Sequence, residues 1–147
     1  MKYVSTAIFF LSFPAFASYP FNGTFCGKGT FTINGEGHVG TKTLEITTSE
    51  HSLELKRSRI VLEDGSYIEG RPEQAQIQDG KIIYQDQVVG TISDYEIHTV
   101  AKLNGYDIEY FVENLGPGRI SYLRSSKYGS FPSEESFPEL AVGTSCP

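Results

Sequence analysis

Asn-Gly and Asp-Gly pairs punctuate the chain at Asn34-Gly35, Asp64-Gly65, Asp79-Gly80 and Asn104-Gly105. Each lies between runs of β-branched and aromatic residues, and such dipeptides favour the positive-φ turns that join antiparallel strands. No long apolar period of 3.6 residues follows residue 17. The chain therefore reads as a series of hairpins. A hairpin can be tested by asking whether its two strands agree on which face is apolar.

The pair at Asn104-Gly105 meets that test best. A two-residue turn sets Leu103 against Tyr106, Ala101 against Ile108, Thr99 against Tyr110 and Ile97 against Val112, a nearly continuous apolar face. The other face pairs Lys102 with Asp107, Val100 with Glu109 and His98 with Phe111. A four-residue loop over Asn34–Gly37 would set Phe25 against Ile46 and Phe31 against Gly40, with Cys26 pointing outward. Asp79-Gly80 matches Ile77 with Ile82. The hairpin at Asp64-Gly65 is ambiguous, and Pro72 implies a break or bulge in the strand after it.

This pattern predicts an all-β chain folded as a single antiparallel up-and-down β-barrel of about eight strands, with a two-sheet β-sandwich as the alternative. Closure into a barrel would bury every apolar face and remove the sheet edges. From about residue 127 the composition changes. Ser136-Phe137-Pro138-Glu139 has the spacing of a capping box, and Gly143 could end a short C-terminal helical turn. That tail is read as a strap outside the barrel that returns Cys146 to the outward-facing Cys26.

The first 17 residues read as a secretory signal: Lys2, an apolar stretch from Val4 to Phe13, then Ala15-Phe16-Ala17, with cleavage after Ala17. The stretch is too short for a transmembrane anchor, which needs roughly 20 residues. The expected product, residues 18–147, is one domain, secreted or periplasmic, with no transmembrane segment. It keeps 11 basic and 18 acidic residues, net −7, which argues against a nucleic-acid partner. In an oxidising compartment Cys26 and Cys146 most simply form one disulfide.

No catalytic constellation and no cofactor motif emerges. Gly-x-Ser-x-Gly and phosphate-cradling glycine loops are absent from the sequence. Asp94-x-Glu96-x-His98, with Glu113 opposite, is the sharpest metal candidate, but polar residues on the wet face of a strand explain it, and no metal site is assigned. Strict alternation from Leu53 and Leu55 sends Arg57 and Arg59 inward, where guanidinium groups need a carboxylate or a ligand. A bulge near these residues would instead place Ile60 and Leu62 inside and both arginines in water. The inward set, and so the candidate ligand-binding interior, comprises Phe25, Phe31, Leu44, Leu55, Arg57, Arg59, Tyr84, Tyr95, Ile97, Tyr106 and Tyr110.

The meander, the leader and the terminal cysteines resemble a calycin barrel, the group of lipocalins, avidins and fatty-acid-binding proteins. Gly23-Thr24-Phe25 stands where lipocalins carry Gly-x-Trp, and Arg119 or Arg124 could supply the arginine that packs over it, although the chain has no tryptophan. The resemblance implies a barrel holding a small apolar or amphipathic ligand, and interior arginine implies an anionic one. The alternative is an interaction module, an inhibitor or envelope-associated protein, working through its outer face or loops with a filled barrel. An enzyme ranks third, since acid–base chemistry needs a positioned set of groups.

Overall fold

The computed structural model describes residues 19–143 and 145–147, the side chains of Leu103 and Phe131 excepted. The segment expected to be a signal peptide lies outside the described residues. Eleven strands follow one another: β1 Gly23–Ile33, β2 Glu36–Thr48, β3 Ser52–Leu62, β4 Tyr67–Glu69, β5 Glu73–Gln78, β6 Lys81–Tyr84, β7 Gln87–Ile92, β8 Glu96–Leu103, β9 Tyr106–Gly116, β10 Arg119–Tyr128 and β11 Phe131–Val142. Each pairs antiparallel with its neighbour in the order β2-β1-β11-β10-β9-β8-β7-β6-β5-β3, and β2 also pairs with β3. Among the described residues, ten strands thus close a barrel, and β4 lies on the side of β3 as an appended hairpin arm. The described residues contain no helix.

The turns form where the dipeptides place them. Asn34, Asp79 and Asn104 have φ near 50°, and the glycine after each is also positive, the pattern of tight primed turns. The Asn104-Gly105 hairpin has the expected register, from Leu103 opposite Tyr106 to Ile97 opposite Val112. The first hairpin is tighter than expected. Its turn is two residues rather than four, so Phe31 faces His38 and Phe25 faces Leu44. A shift of two keeps every side chain on its expected face, because side-chain direction alternates with period two. Pro72 falls in the gap between β4 and β5, the expected break.

Two elements raise the strand count from about eight to ten. The run Lys81–Ile92 is not one strand but the hairpin β6–β7, turned at Gln85 and Asp86, both with positive φ. Neither turn residue is glycine, so the turn leaves little local trace. The C-terminal helical turn is likewise absent: Ser136 to Glu139 belong to β11, which pairs with both β1 and β10. Hydrogen bonding along two long neighbours outweighs a capping box that could serve only one turn. Pro138 is tolerated because Tyr122 faces Phe137 while Ile120 faces Leu140, leaving Pro138 and Glu139 in a bulge.

Closure is tightest where β1 crosses β11. A side chain at Gly29 would meet the Ser136 carbonyl and the Phe137 ring. The bare backbone lets Phe137 bury completely beneath it. At the end of the barrel where the chain enters, Phe21 is fully buried as a plug. Asn22 holds it there, donating to the Tyr19 carbonyl and to Thr48 Oγ1 while its own oxygen accepts from the Thr48 N–H. Above this plug Phe25, Ile46, Ile77, Ile92, Val112, Ile120 and Leu140 form the core, each side chain contributing about 1.5–3 kcal/mol by burial. Outward positions such as Lys28, Thr30, Glu45, Thr47, Gln76 and Lys102 are polar. That is the reverse of a membrane-spanning barrel, whose lipid-facing side is apolar.

Cys26 and Cys146 form a disulfide with Cα atoms 5.6 Å apart, on the outer face and away from the interior. The C-terminal residues also cover Thr43, whose hydroxyl donates to the Pro147 carbonyl at 3.0 Å. The bond closes a loop over a sequence separation of 120 residues. Cys146→Ser should therefore lower stability by about 2–4 kcal/mol, measured by urea unfolding, while far-UV circular dichroism retains the β signal. A variant that loses its β structure outright would show that the hairpins depend on the bond.

Candidate functional site

A cavity of about 120 Å³ occupies the barrel above the core. Leu44, Ile46, Leu53, Leu55, Ile82 and Val89 form its apolar side, with Tyr84 at the end of β6, Tyr110 on β9 and Tyr122 on β10 also lining it. Glu73 and Gln74 are exposed and also line it, so the cavity reaches solvent beside the start of β5. Gly90, next to the lining residue Val89, sets how closely β7 approaches β8. Any side chain there would strike the His98 carbonyl, and the glycine lets β7 lie directly on β8.

The expected interior residues divide into three groups. Leu44, Leu55, Tyr84, Ile97 and Tyr110 line the cavity. Phe25 and Phe31 point inward but are buried in the packed core. The remaining four are corrections to the inward set. Tyr95 is 79% exposed in the turn before β8, because the strand starts only at Glu96. Tyr106 keeps inward parity but sits exposed at the start of β9, stacked on Tyr128 with ring centroids 4.4 Å apart. Arg57 and Arg59 face outward. Ile46 pairs with Leu55 and Glu45 with Arg57, so Lys56 is an extra residue that reverses the alternation. Both arginines then meet Glu69 on β4, Arg59 at 3.1 Å and Arg57 at 3.9 Å, while Ser58 and Ile60 turn inward.

The charge inside the barrel comes from other residues. Lys42 on β2 is wholly buried. Its ammonium donates to Ser58 Oγ at 2.9 Å and to Glu135 Oε2 at 3.3 Å. It also lies 4.3 Å from the centre of the Tyr122 ring and 5.5 Å from that of Phe137, where ring faces add cation–π attraction. Desolvation pushes the Lys42 ammonium below the ordinary lysine range, and the Glu135 carboxylate opposes that shift. Arg124, two residues beyond Tyr122 on β10, stands opposite Tyr110, its guanidinium carbon 5.8 Å from the ring centre. Beside the mouth, partial desolvation raises the carboxyl of Glu73, while Arg124 pulls it back down.

Part of this cluster was legible in the alternation of β2 and β10. Lys42 shares parity with Leu44 and Ile46, and Arg124 with Ile120 and Tyr122. Glu135 had no such signal, since its strand reads locally as a helical turn. The arginines expected to cover Phe25 do neither: Arg119 donates to the Leu115 carbonyl, and Arg124 lies over Tyr110. Of the metal candidates, His98 pairs with Glu109 at 2.7 Å on the outer face. No group of three or more metal-ligating side chains occurs among the described residues. Comparison with protein-family models, curated proteins and solved structures found no match to this chain.

Two outcomes follow from the buried cluster. Lys42→Met leaves Glu135 without its partner and should cost about 3–5 kcal/mol, whereas adding Glu135→Gln should recover much of that loss. A double variant whose cost equals the sum of the two single costs, by denaturant unfolding, would mean the pair is not coupled. The second outcome concerns Tyr122, which burial holds well above the ordinary tyrosine range. Its proton stays on in the fold, while the unfolded chain ionises near pH 10. Stability is therefore complete below that pH and falls as pH rises through and above it. Tyr122→Phe should flatten this alkaline decline in a series of unfolding midpoints.

Proposed function

We propose that this protein is an exported carrier that holds one small amphipathic molecule inside its barrel. The observation that carries the reading is the cavity: about 120 Å³, walled mainly by aliphatic and tyrosine side chains and open to solvent beside Glu73. Its size is close to that of a dry engineered cavity of about 150 Å³ that accepts benzene. Tyrosine walls suit an amphipathic guest, since each ring offers apolar area with a polar tip. The leader-like first 17 residues and a disulfide, a bond that persists in oxidising compartments, support export. The architecture is in keeping with the calycin resemblance, although ten strands close this barrel and eight close a lipocalin.

A second reading, a protein-interaction module, draws on the outer face of β8 to β10. Val100 and Leu123 are exposed there beside Phe111. An apolar row of this kind can serve as a contact surface.

An environment-sensitive apolar fluorophore separates the two. It should bind the native protein in a one-to-one ratio. Tyr110→Ala should change the affinity by about tenfold, a difference of roughly 1.4 kcal/mol. Arg57→Ala and Leu123→Ser, both on the outer face, should leave the affinity unaltered. If no probe binds, or only Leu123→Ser affects it, the carrier reading fails and the outer face takes precedence.

A further inference from the structure

The cavity opens where the barrel wall is lowest. β5 begins at Glu73, opposite Leu55, and β6 ends at Tyr84, whereas β3 runs on to Leu62. Glu73 and Tyr84 both line the cavity at this rim. Among the described residues, no lysine, arginine or histidine lines it, and Glu73 is the one lining side chain charged at neutral pH. The interior cations are engaged elsewhere. Lys42 is held by Glu135 and Ser58, and Arg124 stands opposite Glu135 and is hydrogen-bonded to Tyr110. Arg57 and Arg59, which an anionic ligand would need inside, meet Glu69 on the outer face. Glu73 itself belongs to no ion pair among the described residues. Partial desolvation holds its carboxyl above the ordinary glutamate range even though Arg124 pulls it down, so the carboxylate lacks a full counter-charge.

Resting on the carrier reading above, we propose that the cavity takes a primary amine with a short, branched apolar body, its ammonium at the mouth on the Glu73 carboxylate. Charge selects among ligands of one shape. A carboxylate meets a like charge at the entrance and no cation along the cavity wall. An uncharged head group gains no Coulombic attraction there. An ammonium gains it, and at the mouth it keeps part of its hydration, so the desolvation that makes deep ion pairs costly is small. Tyr84, on the same rim, offers an aromatic ring of the kind that attracts cations. Beneath the rim, Leu44, Leu55, Ile82 and Val89 border about 120 Å³, room for a short branched alkyl chain. The chain's net charge of −6 also draws cations in preference to anions.

Isothermal titration calorimetry on the intact, disulfide-bonded protein at neutral pH tests this with three probes of one shape. Isoamylamine carries an ammonium, isoamyl alcohol a hydroxyl and isocaproate a carboxylate. Isoamylamine should bind at one site, at least about tenfold tighter than either analogue. Glu73→Gln should remove its advantage over the alcohol, while the alcohol's own affinity stays within about twofold. The comparison of probes on the unaltered protein needs no variant to fold. If the alcohol or isocaproate binds as tightly as the amine, or if Glu73→Gln keeps the amine's advantage, the ammonium site is wrong. If the apolar fluorophore binds and isoamylamine does not, this proposal falls and the carrier reading stands. If neither binds, both fall.

Discussion

The pairing of β1 with β11 decides what this molecule is. Without it the chain would be an open meander with two long, hydrogen-bond-hungry edges and an apolar face in water. With it, every strand of the ring has two neighbours and the faces that share parity enclose one interior. The contact has specific requirements. Gly29 lets the backbones approach over Phe137, and β11 fits one extra residue between Ser136 and Ala141 against the stretch from Cys26 to Thr30. The disulfide fastens the C-terminal residues to the outer side of the same strand, at Cys26. The most demanding noncovalent pairing and the covalent link thus secure the same strand.

Closure also creates the unusual interior. The lower half behaves as an ordinary core, sealed by Phe21 and packed with isoleucine, leucine and phenylalanine. Higher up, four charged residues share parity with the apolar ones, because alternation admits whatever lies at the next inward position. Lys42 is affordable there only because Glu135, Ser58 and two aromatic rings surround its ammonium. A buried ion pair of this kind is weak evidence for stability, since two apolar residues could fill the same space at no greater cost. Its effect is to balance one acid against one base inside the barrel.

Much of the barrel was legible because its turns are. Asn104-Gly105 specified its own hairpin down to each opposing pair, and Asn34-Gly35 preserved the facing of its strands even though the loop is shorter than expected. Gln85 and Asp86 show the limit of that signal: their positive φ is imposed by the strands on either side and not announced by glycine. The extra residue at Lys56 shows another. Alternation alone sends Arg57 and Arg59 inward, and only pairing with β2 and the β4 arm, where Glu69 waits, turns them out.

By itself, the sequence determined where the chain turns, which residues share a face, and that its two cysteines stand near opposite ends. These are local matters: a dipeptide's preference for positive φ, a period of two, a position along the chain. Tertiary structure alone decided the number of strands, the fate of the C-terminal segment and the identity of the interior charges. Ser136 to Glu139 become strand because β1 and β10 offer hydrogen-bonding edges that no neighbouring residue could foretell. Lys42 and Glu135 meet across a separation of 93 residues. The cost of burying one depends wholly on the other, and that dependence comes into being only when the barrel closes.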